Sequence, residues 1–238
     1  MDGHSDKLDA LRLFVTVEHE CNYLPSRSAR NLVADPEVTD QQIYSQLAKS
    51  GFRRSGDHVY RPHCPSCNAC QSLRIPVTRF RPNRSQLRTY KRNQDLFVRE
   101  LNCQFSWEHF RLFQRYLRSR HRNGGMDNTD PDHYFSFIAS SWSFTRLYEF
   151  RHQQRLVAVA VVDYLDDGLS AVYTFFDPQE AMRGLGTYTI LWQIGEAARL
   201  GLHWVYLGYW IRDCPKMTYK SNFRPHEIFF QGQWVNQA

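Results

Sequence analysis

The most regular pattern in the sequence lies between residues 144 and 207, where apolar runs alternate with short polar turns. The first three runs are Phe144–Arg151, Arg155–Tyr164 and Leu169–Phe176. The turns between them, His152-Gln153-Gln154 and Asp166-Asp167-Gly168, are short enough to make neighbouring strands antiparallel. A glycine-bearing loop, a helix to about Leu200 and a further apolar run, Leu202–Leu207, follow. This order predicts an α+β fold, in which an antiparallel meander precedes a helix and one more strand.

The glycine-bearing loop is Arg183-Gly184-Leu185-Gly186-Thr187. Glycines at such a position let the backbone N–H groups of a helix N-terminus approach an anion closely. The loop resembles the pyrophosphate-binding loop of the GNAT acyltransferase superfamily, and the resemblance implies a GNAT-like core. A simple tight turn before a helix is the alternative interpretation.

The charge balance favours an anionic partner. The 238 residues carry 30 Lys and Arg against 24 Asp and Glu, which gives a net charge of +6 and an isoelectric point near 9.1. The stretch Arg79–Arg92 holds six of these basic residues and no acidic one. Its Arg88 and Lys91 are candidates for contact with nucleic-acid phosphates, although a solvated basic face would have the same pattern.

The chain has no apolar run as long as a membrane span, and Met1–Lys7 lack the order of a signal peptide. We therefore expect a cytoplasmic protein with no membrane partner.

Three cysteines are grouped as Cys64-x-x-Cys67-x-x-Cys70. In a cytoplasmic chain this spacing indicates metal binding or functional thiols before disulfides. Three thiolates could hold zinc or an iron–sulfur cluster, with Cys21 or His63 as a fourth ligand. Because the cysteine group and the meander are separate, we predict a smaller cysteine-bearing domain over residues 1–100 and a GNAT-like domain over 101–238.

Local signals predict several further elements. Thr39 and Gln42 have the form of a capping box for a helix that runs to about Ser50. Residues 52–60 predict a hairpin, and 73–77 a short strand that Pro76 should place at a sheet edge. A helix is expected from Ser106 to about Arg120, a break at 123–125, and another helix beginning at Pro131.

Motifs at both ends of the chain resemble the arginyl-tRNA–protein transferase family. The N-terminal ones are Cys21-Asn22-Tyr23-Leu24-Pro25 and residues 70–77, and the C-terminal ones are residues 170–178, 206–211 and 216–225. The resemblance covers nearly the whole chain in order. Leu24 and Asn68 stand where eukaryotic relatives have additional cysteines. The short length and the Tyr-Leu-Pro after Cys21 resemble the bacterial branch, which joins leucine to proteins that begin with Asp or Glu and marks them for degradation.

The chemistry that this resemblance implies is aminolysis of an ester, with Leu-tRNA and a protein that has an acidic N-terminus as substrates. It needs no cofactor, because proximity and charge stabilisation can supply the acceleration. The candidate catalytic residues are Asp163, Tyr173, Lys216, Tyr219 and Lys220. Candidates for binding aminoacyl-tRNA are Phe175, Tyr188, Arg88, Lys91 and the loop residues Arg183, Gly184, Gly186 and Thr187.

An acidic N-terminal side chain requires a cation, and the arginine fork suits a carboxylate best. Arg74 is the first candidate, and Arg79 and Arg146 are weaker ones.

Three alternatives to the leucyl-transfer hypothesis stay open: arginine as the donor, a GNAT acyltransferase that uses acetyl-coenzyme A, and a zinc-bearing nucleic-acid-binding protein.

Overall fold

The computed structural model describes residues 11–120 and 130–237. Its strands are β1 (Leu13–Val15), β2 (His19–Glu20), β3 (Ser28–Ala29), β4 (Asn31–Ala34), β5 (Arg53–Ser55), β6 (His58–Pro62), β7 (Gln71–Pro76), β8 (Leu96–Asn102), β9 (Thr145–His152), β10 (Arg155–Tyr164), β11 (Gly168–Phe176), β12 (Trp204–Trp210), β13 (His226–Phe230) and β14 (Gln233–Gln237). Its α-helices are α1 (Gln41–Lys49), α2 (Arg84–Arg92), α3 (Trp107–Arg120), α4 (Pro131–Ile138) and α5 (Leu185–Arg199). Two 3₁₀ helices cover Pro178–Arg183 and Thr218–Asn222.

A large mixed sheet has the strand order β14-β13-β7-β12-β11-β10-β9-β8, and a smaller sheet has the order β1-β4-β6-β5. The predicted meander is confirmed, because β9, β10 and β11 pair antiparallel. β12 then lies parallel to β11 after the crossover through α5. The α+β prediction therefore holds at the level of mixed helix and sheet.

Strand β10 explains why the large sheet is covered on both faces. Ala158, Ala160 and Val162 pack into a core with α5, whereas Val159 and Val161 belong to a second core with α3 and α4. Successive strand residues point to opposite faces, so an uninterrupted apolar run requires apolar neighbours on both sides. A third core joins α1 and the small sheet to the large sheet.

The predicted edge position of the strand at 73–77 is wrong. β7 lies inside the large sheet, between β12 and β13. Pro76 is tolerated there because it is the last residue of the strand, opposite Trp204, and the ladder continues through the Val77 N–H, which donates to the His203 carbonyl at 2.9 Å. The predicted boundary near residue 100 stays a prediction. β7, which precedes it, and β8, which runs across it, both join this sheet.

The helix predicted from Thr39 is present, but its N-cap is Asp40. The Asp40 carboxylate accepts the N–H groups of Gln42 and Ile43, while the Thr39 hydroxyl donates to the Asp35 carbonyl at 2.7 Å. Either side chain could cap a helix, and Thr39 is already engaged by the preceding turn.

The remaining helix predictions agree with the structure where it describes them. The predicted helix 106–120 is α3, and Asp130 caps α4 with Pro131 at its first position. The predicted break at 123–125 lies outside the described residues. Among residues 11–120 and 130–237, no helix is both long and apolar enough to cross a membrane.

Candidate active site

The parallel strands β11 and β12 separate after three residue pairs. Their pairing ends at Ser170 and Tyr206, although β11 continues to Phe176 and β12 to Trp210. We call the region between their unpaired halves the split. A split in a sheet leaves backbone groups without ladder partners, so other groups must satisfy them or a ligand can reach them.

A bulge stands beside the split in each strand. In β11 the register shifts around Val172, because Tyr173 pairs with Val161 and Ala171 with Val162. In β12 the shift falls at Leu207, and Gly208 follows with a φ of 68°, which favours glycine. Bulges bend a strand and redirect its side chains, so the two bulges separate the strands.

Lys220 closes one side of the split. Its Nζ donates to the carbonyls of Leu207 at 2.8 Å and Tyr209 at 2.7 Å, and the side chain is buried. Burial, reinforced by the positive charge of Arg53, lowers the pKa of Lys220 to about 7. Lys220 therefore titrates near neutral pH at the bulge of β12.

Arg53 reaches the other side of the split from β5 of the small sheet. Its Nη2 donates to the carbonyl of Val172, the bulged residue of β11, at 3.1 Å. Its guanidinium lies 5.8 Å from the ring centroid of Tyr209. The sequence prediction missed Arg53, because a basic residue in a short hairpin strand carries no signal that separates it from a surface arginine.

Tyr173 follows the bulge of β11 and is surrounded by rings. The centroids of Phe137, Phe113 and Tyr116 lie 5.0, 6.1 and 6.3 Å from its own. Its buried hydroxyl has no hydrogen-bond partner among the described residues. An unpaired buried hydroxyl is costly, so this oxygen is available to a bound polar group.

The other predicted catalytic residues differ in their placement. Lys216 and Tyr219 are exposed, and Tyr219 lies beside Lys220 in the same 3₁₀ helix, whereas Lys216 comes just before that helix. Asp163 is fully buried, and its carboxylate is bound by Arg54 at 2.5 and 2.7 Å and by the Thr145 hydroxyl at 2.7 Å. This placement does not favour Asp163 as a base, because both of its oxygens already accept hydrogen bonds inside the protein.

The aromatic residues predicted to bind aminoacyl-tRNA lie in the protein interior. Phe175 is fully buried among Phe113 and Tyr134, and Tyr188 packs against Tyr90 and Phe150. Both are core side chains in this arrangement.

The glycine-bearing loop packs against α2. Gly184 has a φ of 67°, and a Cβ built on it would lie 3.3 Å from the Thr89 methyl group. Arg183 is held in ion pairs with Asp95 and Glu180, and its carbonyl accepts from Asn93. Close packing at Gly184 accounts for that glycine without a bound anion. A Cβ built on Gly186 would lie equally close to the Phe176 ring, at 3.3 Å, and Thr187 is half-buried.

The three arginines predicted to recognise an acidic N-terminus have acidic partners of their own. Arg74 donates twice to Glu227, at 2.8 and 3.0 Å, and lies between the rings of Trp204 and Trp234. Arg79 donates to the other oxygen of Glu227, and Arg146 donates to Glu100. Arg88 and Lys91, in contrast, are exposed on α2.

Four cysteines meet at one pocket. Cys21, Cys64, Cys67 and Cys70 line it together, and their thiols are free. Burial, reinforced by the other three thiols, raises the pKa of Cys70 to about 12. Within the described part of the chain, no three His, Cys, Asp or Glu side chains are arranged to hold a metal ion. Cys64, Cys67 and Cys70 therefore lie together as their spacing predicted, with Cys21 beside them, and metal or cluster binding by the four stays a prediction.

Comparisons with known proteins identify the class. The family models for the N terminus and the C terminus of arginine-tRNA-protein transferase match residues 19–88 and 108–230. The chain belongs to the arginine-tRNA-protein transferase family.

Individual relatives match over nearly the full length of the chain. An aspartate/glutamate leucyltransferase of Nitrosococcus oceani is 55% identical over 93% of this chain and 94% of its own length. An aspartate/glutamate leucyltransferase of Pseudomonas fluorescens strain Pf0-1 is 52% identical over 96% of this chain and 98% of its own length. Among solved structures, the C-terminal domain of a protein described as a lysylphosphatidylglycerol synthetase, from Agrobacterium fabrum, is similar in fold, with a TM-score of 0.51 at 12% identity. That match covers 81% of this chain and 62% of the other.

Proposed function

We propose that this chain transfers leucine from Leu-tRNA to the N-terminal Asp or Glu of proteins, which marks them for degradation. Its relatives of about 50% identity carry that activity in their names. The observation that supports the reaction most directly is the buried Lys220 at the split, with a pKa near neutrality.

The reaction forms an amide bond and breaks an ester bond. The α-amine of the acceptor attacks the leucyl carbonyl, loses a proton, and the ribose oxygen leaves with a proton. A neutral lysine amine has two N–H donors and one lone pair. The carbonyls of Leu207 and Tyr209 use both donors of Lys220, so its lone pair is left to accept the proton of the amine. The ammonium can then return the proton to the ribose oxygen.

We propose the rings around Tyr173 as the leucyl pocket. Phe113, Tyr116 and Phe137 supply apolar surface, and the unpaired Tyr173 hydroxyl would bond the aminoacyl ester. An arginyl donor would require a carboxylate to receive its guanidinium, and the rings that pack on Tyr173 among residues 11–120 and 130–237 supply none. The cluster therefore favours leucine over arginine.

The finer architecture is part of the same proposal. We propose a GNAT-like core, because the parallel strands β11 and β12 follow a meander and open beside a helix. The cysteine-bearing N-terminal unit and a cytoplasmic location belong to the same proposal. Ester aminolysis requires no metal, and no step above passes through the cysteines. Metal analysis of anaerobically purified protein would measure any occupancy.

Labelled aminoacyl-tRNA tests the proposal. Purified protein should transfer leucine from Leu-tRNA to peptides that begin with Asp or Glu and not to one that begins with Ala. Arginyl-tRNA and acetyl-coenzyme A should be inactive as donors. Transfer from acetyl-coenzyme A alone, or no transfer from any aminoacyl-tRNA, would overturn the proposal.

Charge reversal on α2 tests the tRNA-binding surface. We expect Arg88→Glu combined with Lys91→Glu to raise the KM for Leu-tRNA by roughly 10-fold or more, because each lost phosphate contact weakens binding. The KM for the peptide should not change. Steady-state kinetics at low and moderate salt would measure both values, and an unchanged KM for tRNA at low salt would contradict the assignment.

A further inference from the structure

We infer that Arg53 binds the acidic side chain of the acceptor's N-terminal residue. The inference rests on the proposed function and replaces the three arginines that the sequence suggested. Its first support is the pairing of charges. Arg74, Arg79 and Arg146 each donate to a glutamate of the chain, whereas Arg53 forms no ion pair with any carboxylate in residues 11–120 and 130–237.

The surroundings of Arg53 strengthen this assignment. The titratable groups that act most strongly on its guanidinium are four tyrosines, Tyr60, Tyr23, Tyr209 and Tyr44. Tyrosines are neutral at physiological pH, so they do not cancel its charge. Two of their hydroxyls already donate elsewhere, Tyr209 to the Tyr60 carbonyl and Tyr44 to Ser170. A half-buried guanidinium among neutral rings gains strongly from a carboxylate ligand, because the local dielectric is low.

The donors of Arg53 are sufficient for such a ligand. A guanidinium has five N–H groups in a fixed fork. One of them binds the Val172 carbonyl and fixes the side chain at the split. A Cβ at position 208 would lie only 3.0 Å from the Arg53 Nη1. Because Gly208 has no side chain, space is left beside the guanidinium. The adjacent Arg54 has no such freedom, because Asp163, Thr145 and three backbone carbonyls occupy its donors.

The position of Arg53 also explains why the acid must be N-terminal. Arg53 is anchored to the β11 side of the split and Lys220 to the β12 side. Both cations contact Tyr209, since the Arg53 guanidinium lies 5.8 Å from the centroid of its ring and Lys220 Nζ donates to its carbonyl at 2.7 Å. In an N-terminal Asp or Glu, only a few bonds separate the carboxylate from the α-amine. A carboxylate on Arg53 therefore brings the amine to Lys220, and an internal acid offers no amine.

Peptides that differ only in charge test the inference. Leucyl transfer would be measured with peptides that begin with Asp and with the isosteric Asn. Loss of a charge-assisted fork should make kcat/KM in Arg53→Met fall about 10- to 100-fold more for the Asp peptide than for the Asn peptide. Any change in Lys220 that follows from loss of the Arg53 charge affects both peptides and cancels in this ratio. Arg53→Lys keeps the charge and a donor for Val172 but loses the fork, so a smaller fall is expected.

Arg61→Met is the matched control. Arg61 also donates to a backbone carbonyl, that of Ser50, and also stacks on a ring, that of Phe52 at 4.9 Å. The wild-type preference for Asp over Asn should persist in this variant.

Thermal unfolding would show which variants are folded. If Arg53→Met does not fold, Arg53→Lys provides the test. A wild-type ratio of Asp to Asn in a folded Arg53 variant would overturn the inference while leaving leucyl transfer intact. Absence of transfer by the wild-type protein would instead overturn the proposed function.

Discussion

Replacing Lys220 with methionine should lower kcat for leucyl transfer by about 100-fold or more, the usual contribution of a positioned general base. Lys220→Arg should lose a similar factor, because arginine keeps donors for the two carbonyls but stays charged at all accessible pH values. The wild-type rate should rise with pH and level off above about 7, where Lys220 becomes neutral. Both variants should lose this rise in rate below pH 7. A rise that comes from deprotonation of the peptide amine should remain in the pH profiles of the wild-type protein and of both variants.

The direction of the pH profile separates two roles for Lys220. A lysine that donated to an oxyanion would have to be charged, so the rate would fall as pH rises through 7. Such a falling profile, or full activity of Lys220→Met, would contradict the assignment as base. Lys49→Met, in the last turn of α1, is a suitable control and should behave as wild type.

The same pKa makes a prediction about stability. In the unfolded chain Lys220 has a pKa of about 10.4, so between roughly pH 7 and 10.4 the unfolded state binds more protons than the folded state. The contribution of Lys220 to stability should therefore become more favourable as pH rises over this range. Urea denaturation at several pH values would measure this slope, which should be absent in Lys220→Met.

Breaking the Arg54–Asp163 pair should destabilise the protein by about 3–5 kcal/mol, because either single substitution leaves a buried charge without its partner. Both side chains are fully buried, and the pair joins the small sheet to the large one. Arg54→Met and Asp163→Asn should each lower the free energy of unfolding, and the double variant should lose less than the sum. Denaturant unfolding of the four proteins in the cycle would give the coupling energy.

The pair Arg199–Glu196 on α5, in which the arginine is exposed, gives the comparison for this cycle. Arg199→Met should lower the free energy of unfolding far less than either core substitution, since an ion pair with an exposed partner contributes little. The cycle also tests Asp163 as a base. Loss of transfer in Asp163→Asn without loss of stability would show that the carboxylate acts in the chemistry.

The sequence alone determined the elements that neighbouring residues specify. The apolar runs 144–151, 155–164 and 169–176 became the meander, and Asp130-Pro131 began α4. These predictions succeeded because strand alternation, turns and caps depend on side chains a few positions apart. The grouping of Cys64, Cys67 and Cys70 was visible for the same reason, and the family motifs at both ends were visible as linear patterns.

Only the tertiary structure decided which charged residues are free to act. Arg74 is neutralised by Glu227, far along the chain, and Asp163 by Arg54. Arg53 was an ordinary arginine in the sequence, and Lys220 was a lysine of a polar segment. Sheet pairing buries Lys220 against two carbonyls and leaves Arg53 at a split that no local pattern encodes. Charge pairing and desolvation depend on contacts between distant segments, so the chemistry of this site depends on the assembled sheet.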